Sequence, residues 1–230
     1  MTGEYFLVQF FTRREISFRN KALKHKWIGR VSSEEQGKKF NSETSGSETD
    51  TSLSDMSVLQ AEFGQRDGVI GCLQDASLIY ELSRRMDYGV SKVSKQGLKL
   101  VDKIIASYPK KPRYMFDYLY VAYYRAICLW VRLVLHGNMH NPMVQADRAA
   151  CLSAIQSIVA FITDEKHKLD EVAPFLLVPL FLQGVVSTNP QDRDYARGLF
   201  AKIRVDFEPE ANLYLEKIEQ CWKDNKWQWW

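Results

Sequence analysis

The 230-residue sequence contains little cysteine, glycine and proline, and each shortage excludes a class of protein. The four cysteines form no CxxC pair and are too sparse for a disulfide framework, which argues against a cysteine zinc site and against a disulfide-stapled fold. They are Cys72, Cys128, Cys151 and Cys221. Three of them lie among apolar residues, and we expect these to act as small core side chains. Twelve glycines and seven prolines are few for a loop-rich β fold.

Neither sign of charge dominates, and no apolar run has the length of a membrane span. The net charge is +3, which by itself implies neither nucleic acid nor an anionic membrane as a partner. The longest apolar stretches are 119–135, which is interrupted by Arg125 and Arg132, and 172–186, which contains two prolines. A span needs about 20 uninterrupted apolar residues. The N-terminus has no basic signal region, so we expect a soluble intracellular protein.

Charge divides the chain into three parts. Residues 1–30, with seven basic and two acidic side chains, form a basic N-terminal segment. It is either the solvated face of a docking helix or a nuclear-import or phosphate-contacting patch. Residues 31–66 form a Ser/Thr-rich acidic linker, and apolar residues are almost absent between 31 and 57, which predicts flexibility. Its Ser45, Ser47 and Ser52 each precede an acid by three residues, a pattern that acidophilic kinases prefer, although an unmodified loop is equally consistent.

Residues 67–230 have helical periodicity throughout and no alternating strand pattern, so the fold class is all-α, an array of packed helical hairpins around a long central helix. The central helix covers about residues 113–136 and ends at Gly137 as a C-terminal cap. Asn141-Pro142 and Asn189-Pro190 predict two further helix starts. Apolar residues at helical spacing mark the first two helices. They are Leu73, Ala76, Ile79, Leu82 and Met86, then Val93, Leu98, Val101 and Ile105.

Prolines predict the boundaries of the last two helices. The apolar segment 172–186 is expected to begin or kink at Pro174 and Pro179, and a final helix is expected to start near Pro209.

The residue types that carry catalysis or bind metals are scarce and poorly placed. His136 and His140 have the i, i+4 spacing of a helical metal pair, but the glycine, asparagines and proline around them predict an exposed loop. No phosphate-binding glycine loop and no nucleophile motif is present in the sequence. The acids beside basic neighbours, as in Asp192-Arg193-Asp194 and Asp164-Glu165-Lys166, are typical of a solvated helix face. We therefore expect no catalytic residue, no metal site and no cofactor, and hence no enzyme; residues that would bind a cofactor cannot be named.

Two aromatic groups allow either packing or binding. A stripe on the central helix suits a small-molecule pocket or ordinary interhelical packing. It consists of Tyr114, Tyr118, Tyr120, Tyr123, Tyr124 and Trp130. The C-terminal Trp227, Trp229 and Trp230 are either a partner-binding anchor or a flap packed on the domain, and their exposure would favour a homodimer.

Three segments, taken in order, resemble the regulatory (middle homology) domain of fungal zinc-cluster transcription factors. The first is DGVIGCLQDASLIYELSRRM at 67–86, and the second is YVAYYRAICLWVRLVL at 120–135, which is similar to the long helix of that family. The strongest is LLVPLFLQGVVSTNPQDRDYARGLFAKI at 176–203, which resembles the family's Pro-Leu-Phe helix followed by an Asp-Arg pair. Cys221-Trp222-Lys223 and Trp227 are similar to the family's closing tryptophans.

The resemblance implies that residues 67–230 are an all-α regulatory domain that acts in the nucleus. In the family such a domain restrains or transmits transcriptional activity, sometimes with a metabolite, and assists dimerisation. The family's six-cysteine zinc cluster is missing, because residues 1–66 contain no cysteine. The sequence is therefore either a piece of a longer factor or a variant that acts through partners.

We therefore expect a transcription-regulator domain that works through a protein partner, a second copy or a small-molecule effector. Direct DNA binding and membrane association are not expected. The alternative is an α-helical interaction or assembly protein with no regulatory ligand, and an enzyme or small-molecule carrier ranks behind both.

Overall fold

Six α-helices and no β-strand make up the residues that the computed structural model describes, which are 68–85, 89–107, 111–113, 115–162 and 168–227. The predicted all-α class is confirmed. In chain order the helices are α1 (Val69–Arg84), α2 (Val90–Ala106), α3 (Met115–His136), α4 (Pro142–Ile162), α5 (Lys168–Val185) and α6 (Pro190–Asp224). All belong to one compact unit, Phe63–Trp230.

Helix α3 is the centre of the array, because it packs against α1, α2, α4 and α5. Consecutive helices also pair as the hairpins α1–α2, α3–α4 and α5–α6. This is the predicted arrangement of hairpins around a central helix, although the longest helix is α6, with 35 residues, and not α3, with 22.

One described helix, residues Asp117–His136 of α3, has the length and composition of a membrane span despite its two arginines. Of its most apolar window, 61% is buried inside the fold. Burial against four neighbouring helices accounts for apolar residues on most of its faces.

The local signals for helix ends are confirmed. Gly137 has φ of 63°, and its N–H donates to the carbonyl oxygen of Leu133 at 2.8 Å, which closes α3. The side-chain oxygens of Asn141 and Asn189 each accept a hydrogen bond at 2.9 Å from the backbone N–H two residues later. Each of these asparagines precedes a proline at the first helical position.

Helix α2 presents a different face to the core from the one that its apolar spacing suggests. Val93 and Val101 are buried, but Leu98 and Ile105 are 52% and 49% exposed. The reason is Gly97, where a Cβ atom would lie 2.8 Å from a Leu135 methyl carbon. Because a glycine lets α3 approach this closely, α2 turns its glycine side inward and leaves the two large aliphatic side chains on the outside.

The predicted start of α5 at Pro174 or Pro179 is wrong, because the helix starts at Lys168; a kink at these prolines stays a prediction. Helix α6 has helical backbone from Pro190 to Asp224, but it folds back on itself near Pro209. Arg197 Nε donates to Glu219 Oε1 at 2.6 Å, whereas 22 residues of straight helix would hold these residues about 33 Å apart. The two arms of α6 therefore run antiparallel on either side of Pro209, where a final helix was predicted to start. Phe200 and Ile218, one on each arm, are both fully buried.

We expect Pro209→Ala to lower the free energy of unfolding by about 0.4–1 kcal/mol, because Pro209 lies where α6 folds back and the substitution adds freedom to the unfolded chain. Urea unfolding followed by circular dichroism measures this change. Pro190→Ala, at the first turn of α6, is the matched control and should respond similarly. A gain in stability at Pro209 alone would mean that this proline lies inside a regular helix.

Candidate functional site

A buried carboxylate holds α3 and α4 together. Asp147, on α4, is 3% exposed. Its two oxygens accept hydrogen bonds from Arg125 Nη1 at 2.7 Å and from Arg132 Nε at 2.9 Å, both on α3. The two arginines are seven residues apart, so they share one face of α3 two turns apart. We call these three residues the Asp147 cluster.

The next residue on α4 makes a second connection, to α6. The guanidinium of Arg148 pairs with the carboxylate of Asp192 in the first turn of α6, and its Nε donates to Gln145 Oε1 at 2.7 Å. The Gln145 amide in turn donates to the carbonyl oxygens of Met139 at 2.6 Å and Val186 at 3.1 Å. The first turns of α4 therefore fix both the α3–α4 loop and the α5–α6 turn.

A buried tryptophan, Trp222, also contacts the residues on both sides of the α5–α6 turn. Trp222 Nε1 donates to the carbonyl oxygen of Gly184 at 2.8 Å. The guanidinium carbons of Arg193 and Arg197 lie 5.1 Å and 4.8 Å from its ring centroid, and Arg193 Nε donates to the carbonyl oxygen of Ser187 at 2.8 Å. These cation–π contacts tie the start of α6 to its own end.

The polar residues in these connections were only partly recognisable in sequence. The expectation of a solvated face is confirmed for Asp194, which is exposed, but wrong for the half-buried Asp192 and Arg193. Asp147 was missed. A signal for it exists, because it stands between Val144 and Cys151 at spacings of three and four, on the buried stripe of α4.

The cysteines behave as core side chains, as expected, and all four are buried and free. Burial, reinforced by the nearby Asp147 carboxylate, raises the pKa of the Cys128 thiol to about 12. Burial likewise raises the pKa of Cys151, whose thiol donates to the carbonyl oxygen of Ala122 at 3.3 Å, and that of Cys221 to about 11. These three thiols stay protonated at neutral pH and are poor nucleophiles.

His136 and His140 are exposed, as expected, at the end of α3 and in the following loop. Among the described residues, no group of three histidine, cysteine or acidic side chains could hold a metal ion. Residues 1–66, Asp164-Glu165-Lys166 and Tyr114 lie outside the described residues, so the predictions for them stay predictions.

Most rings of the aromatic stripe are used in packing. Tyr123, Tyr124 and Trp130 are buried. Tyr120 stacks on Tyr124 at 6.1 Å between centroids, and Tyr118 lies 5.6 Å from Phe161 on α4. One feature favours a binding interpretation: within the described part of the chain, the buried Trp130 Nε1 has no hydrogen-bond acceptor.

The C-terminal tryptophans that the structure describes both contact the rest of the domain. Trp222 is buried, and the half-buried Trp227 reaches back over the end of α3, with Nε1 3.4 Å from the carbonyl oxygen of Gly137. That placement favours a packed flap at Trp227. Trp229 and Trp230 lie outside the described residues.

Comparison with known proteins gives one finding. Residues 51–230 match a family model described as a fungal specific transcription factor domain. The matched segment contains every helix described above. No curated protein and no solved structure matches the chain significantly.

We expect Asp147→Asn to lower the free energy of unfolding by about 3–5 kcal/mol, because it leaves the charge of the largely buried Arg132 without its counterion. Chemical denaturation at pH 7 measures the loss. Asp194→Asn makes the same chemical change in an exposed ion pair on α6 and should cost at most about 1 kcal/mol. Equal losses would show that the Asp147 cluster does not hold the fold.

We expect none of the four thiols to react quickly with an aromatic disulfide reagent at pH 8 in the native protein, and all four to react in guanidinium chloride. Since folding raises the pKa of Cys128, Cys151 and Cys221 above that of an unperturbed thiol, the unfolded state ionises first. Stability should therefore be unaffected by these groups below pH 9 and fall as the pH rises from 9 towards 12. A native thiol that reacts at pH 8 would contradict this assignment.

Proposed function

The chain belongs to the family of fungal specific transcription factor domains, which gives it a role in transcriptional regulation, and we propose that it fulfils this role by engaging a protein partner. The observation that carries the proposal is the family match over residues 51–230. The family is a class of transcription factor domain and not of enzymes, and its role in general is nuclear. We propose that this chain, too, works in the nucleus and catalyses no reaction.

The chemistry of the described residues supports a binding role over a catalytic one. The ionisable groups that are most deeply buried serve structure: Asp147 joins two helices, and the thiols of Cys128 and Cys151 are kept protonated by burial. An enzyme instead concentrates such groups where a reactant can reach them.

Helix α4 is placed to transmit a partner's effect through the domain. Its adjacent residues Asp147 and Arg148 connect it to α3 and to α6, respectively. A partner that shifts α4 would strain both ion pairs at once. Buried ion pairs have defined geometries and resist small displacements, so the array would respond by changing state as a unit.

We propose further that recognition of DNA is supplied by a partner. Residues 1–66 contain no cysteine, and the four cysteines of the chain are fewer than the six of the zinc cluster through which the resembled factors read DNA. Either a second copy of this chain or a different protein would then bring the regulator to a promoter.

A small-molecule effector is the second candidate, and Trp130 favours it. A buried indole N–H usually has an acceptor, and Trp130 Nε1 has none among the residues that the structure describes. A ligand oxygen beside it would supply one. Titration of the chain with a metabolite mixture, followed by tryptophan fluorescence, tests this role, with Trp130→Phe as the control that should lose the response.

The proposed function predicts that tethering the chain to a promoter changes transcription. The chain is fused to an unrelated sequence-specific DNA-binding domain, and a reporter that carries the matching site is measured in fungal cells. We expect the reporter output to change relative to the DNA-binding domain alone, and we expect the Asp194→Asn variant to act like the wild type. Asp147→Asn should lose most of the effect, because its helical array is destabilised.

The untethered chain provides the complementary test. In a gel-shift assay at about 0.15 M salt we expect no binding to double-stranded DNA without a partner. A folded nuclear fusion that leaves the reporter unchanged would refute the regulatory role. Salt-sensitive DNA binding by the pure chain would refute the need for a partner's DNA-binding domain.

A further inference from the structure

Positive charge is concentrated on α2 and its flanks. Residues 84–113 contain nine lysines and arginines and two aspartates, whereas the rest of the chain contains 22 basic and 26 acidic residues. The chain therefore has two basic segments, residues 1–30 and 84–113, and the second carries the larger net positive charge. Such an uneven distribution is an electrostatic footprint for an anionic partner.

The lysines of α2 share its outward face. Lys92, Lys95, Lys99 and Lys103 are all exposed and follow one another at spacings of three, four and four residues. They cover three turns, or about 16 Å along the helix axis. The opposite side of α2, which includes Val93, Leu100 and Ile104, is buried against the fold.

Large aliphatic side chains border this basic stripe. Leu98 and Ile105, which are 52% and 49% exposed, are seven residues apart and share one side of α2, where the exposed Asp102 lies between them. Val90, at the start of the helix, is 83% exposed. The outward face of α2 therefore offers positive charge and apolar surface side by side.

This combination distinguishes between the classes of anionic partner. Binding to a nucleic acid backbone depends mainly on neutralised phosphates, which would use the lysines but leave Leu98 and Ile105 in water. An anionic membrane would need a broad apolar face on α2, and that face is already occupied by the domain core. A peptide with both carboxylates and apolar side chains matches both parts of the surface.

We propose that the outward face of α2, centred on Lys95, Leu98, Lys99 and Ile105, docks an acidic segment with interspersed apolar residues from a partner protein. Its length of three helical turns matches a helical segment of about 11 residues. Acidic segments with apolar residues are a composition found in transcriptional activation regions. The inference rests on the proposed function, because it identifies the chemistry of the protein partner.

The test measures binding of the full chain to a fluorescent 15-residue peptide in which aspartate and glutamate alternate with leucine and phenylalanine. We expect saturable binding by fluorescence anisotropy at about 0.05 M salt, which weakens as the salt concentration rises. A second peptide, with serine in place of leucine and phenylalanine, should bind at least tenfold more weakly.

Variants of α2 separate the two parts of the surface. The double variant Lys95→Glu, Lys99→Glu should weaken peptide binding at least tenfold. The double variant Leu98→Gln, Ile105→Gln should weaken it roughly tenfold, and glutamine is used because it is a good helix former. The matched control is Lys202→Glu with Lys226→Glu, which makes the same change in net charge at exposed positions of α6 and beyond its end. The control should bind like the wild type. Circular dichroism and thermal unfolding confirm that each variant is folded.

Several outcomes would overturn the proposal. Equal binding of the two peptides would show that the peptide's apolar residues play no part in docking. Unchanged binding by both α2 variants would show that the peptide binds elsewhere on the domain. Tighter binding to duplex DNA or to anionic vesicles, with the same dependence on Lys95 and Lys99, would reassign the face to those partners. Sedimentation of a dimer that the Leu98→Gln, Ile105→Gln variant dissociates would assign it to a second copy.

The two proposals fail separately. If the tethered chain regulates the reporter but binds neither peptide, the docking surface is wrong and the proposed function stands. If the chain binds the acidic apolar peptide through α2 but leaves the reporter unchanged, the docking surface stands and the regulatory role is wrong.

Discussion

The ion pairs of Asp147 with Arg125 and Arg132 constrain the rest of the helical array. A buried carboxylate loses its hydration, and that loss is offset only when its partners occupy defined positions. Sliding α3 along α4 by one turn, about 5.4 Å, would take both guanidinium groups out of hydrogen-bond range of the carboxylate. The apolar contacts between the two helices would tolerate such a shift better, because the hydrophobic effect has no direction. The register of the central hairpin is therefore set by three polar side chains within an otherwise apolar interface.

That register determines the position of the last hairpin as well. Arg148 follows Asp147 directly, so fixing α4 on α3 also fixes the direction from which Arg148 meets Asp192 on α6. Gln145, one turn earlier, then holds the α5–α6 turn through the carbonyl oxygen of Val186. One turn of α4 thus connects three parts of the domain. A protein that signals by moving one helix needs such coupling, because helices that pack only through apolar surfaces would shift independently of one another.

Features that depend on neighbouring residues could be predicted from sequence, and features that depend on distant ones could not. Gly137 and Asn189 act through backbone geometry within one turn, so the helix ends were predicted correctly. The antiparallel pairing of the two arms of α6 depends instead on contacts such as that of Arg197 with Glu219, and the orientation of α2 depends on the close approach of Leu135 to Gly97. Asp147 was missed for the same reason, because its partners precede it by 15 and 22 residues and an isolated acid ordinarily indicates a solvated position.

The inner and outer polar groups of the domain differ in how their charges are balanced. Inside, each carboxylate of the α4 connections meets an arginine. On α2 the pair Lys95–Lys99 places like charges at i, i+4, which destabilises a helix by about 0.2–0.5 kcal/mol. The helix forms despite this repulsion, because Val93, Leu100 and Ile104 are buried on its other side. A partner that supplies carboxylates would relieve the repulsion as well as add attraction. Part of its affinity would then come from a strain that the free domain already carries, which is why replacing these lysines should weaken the partner's binding more than it weakens the fold.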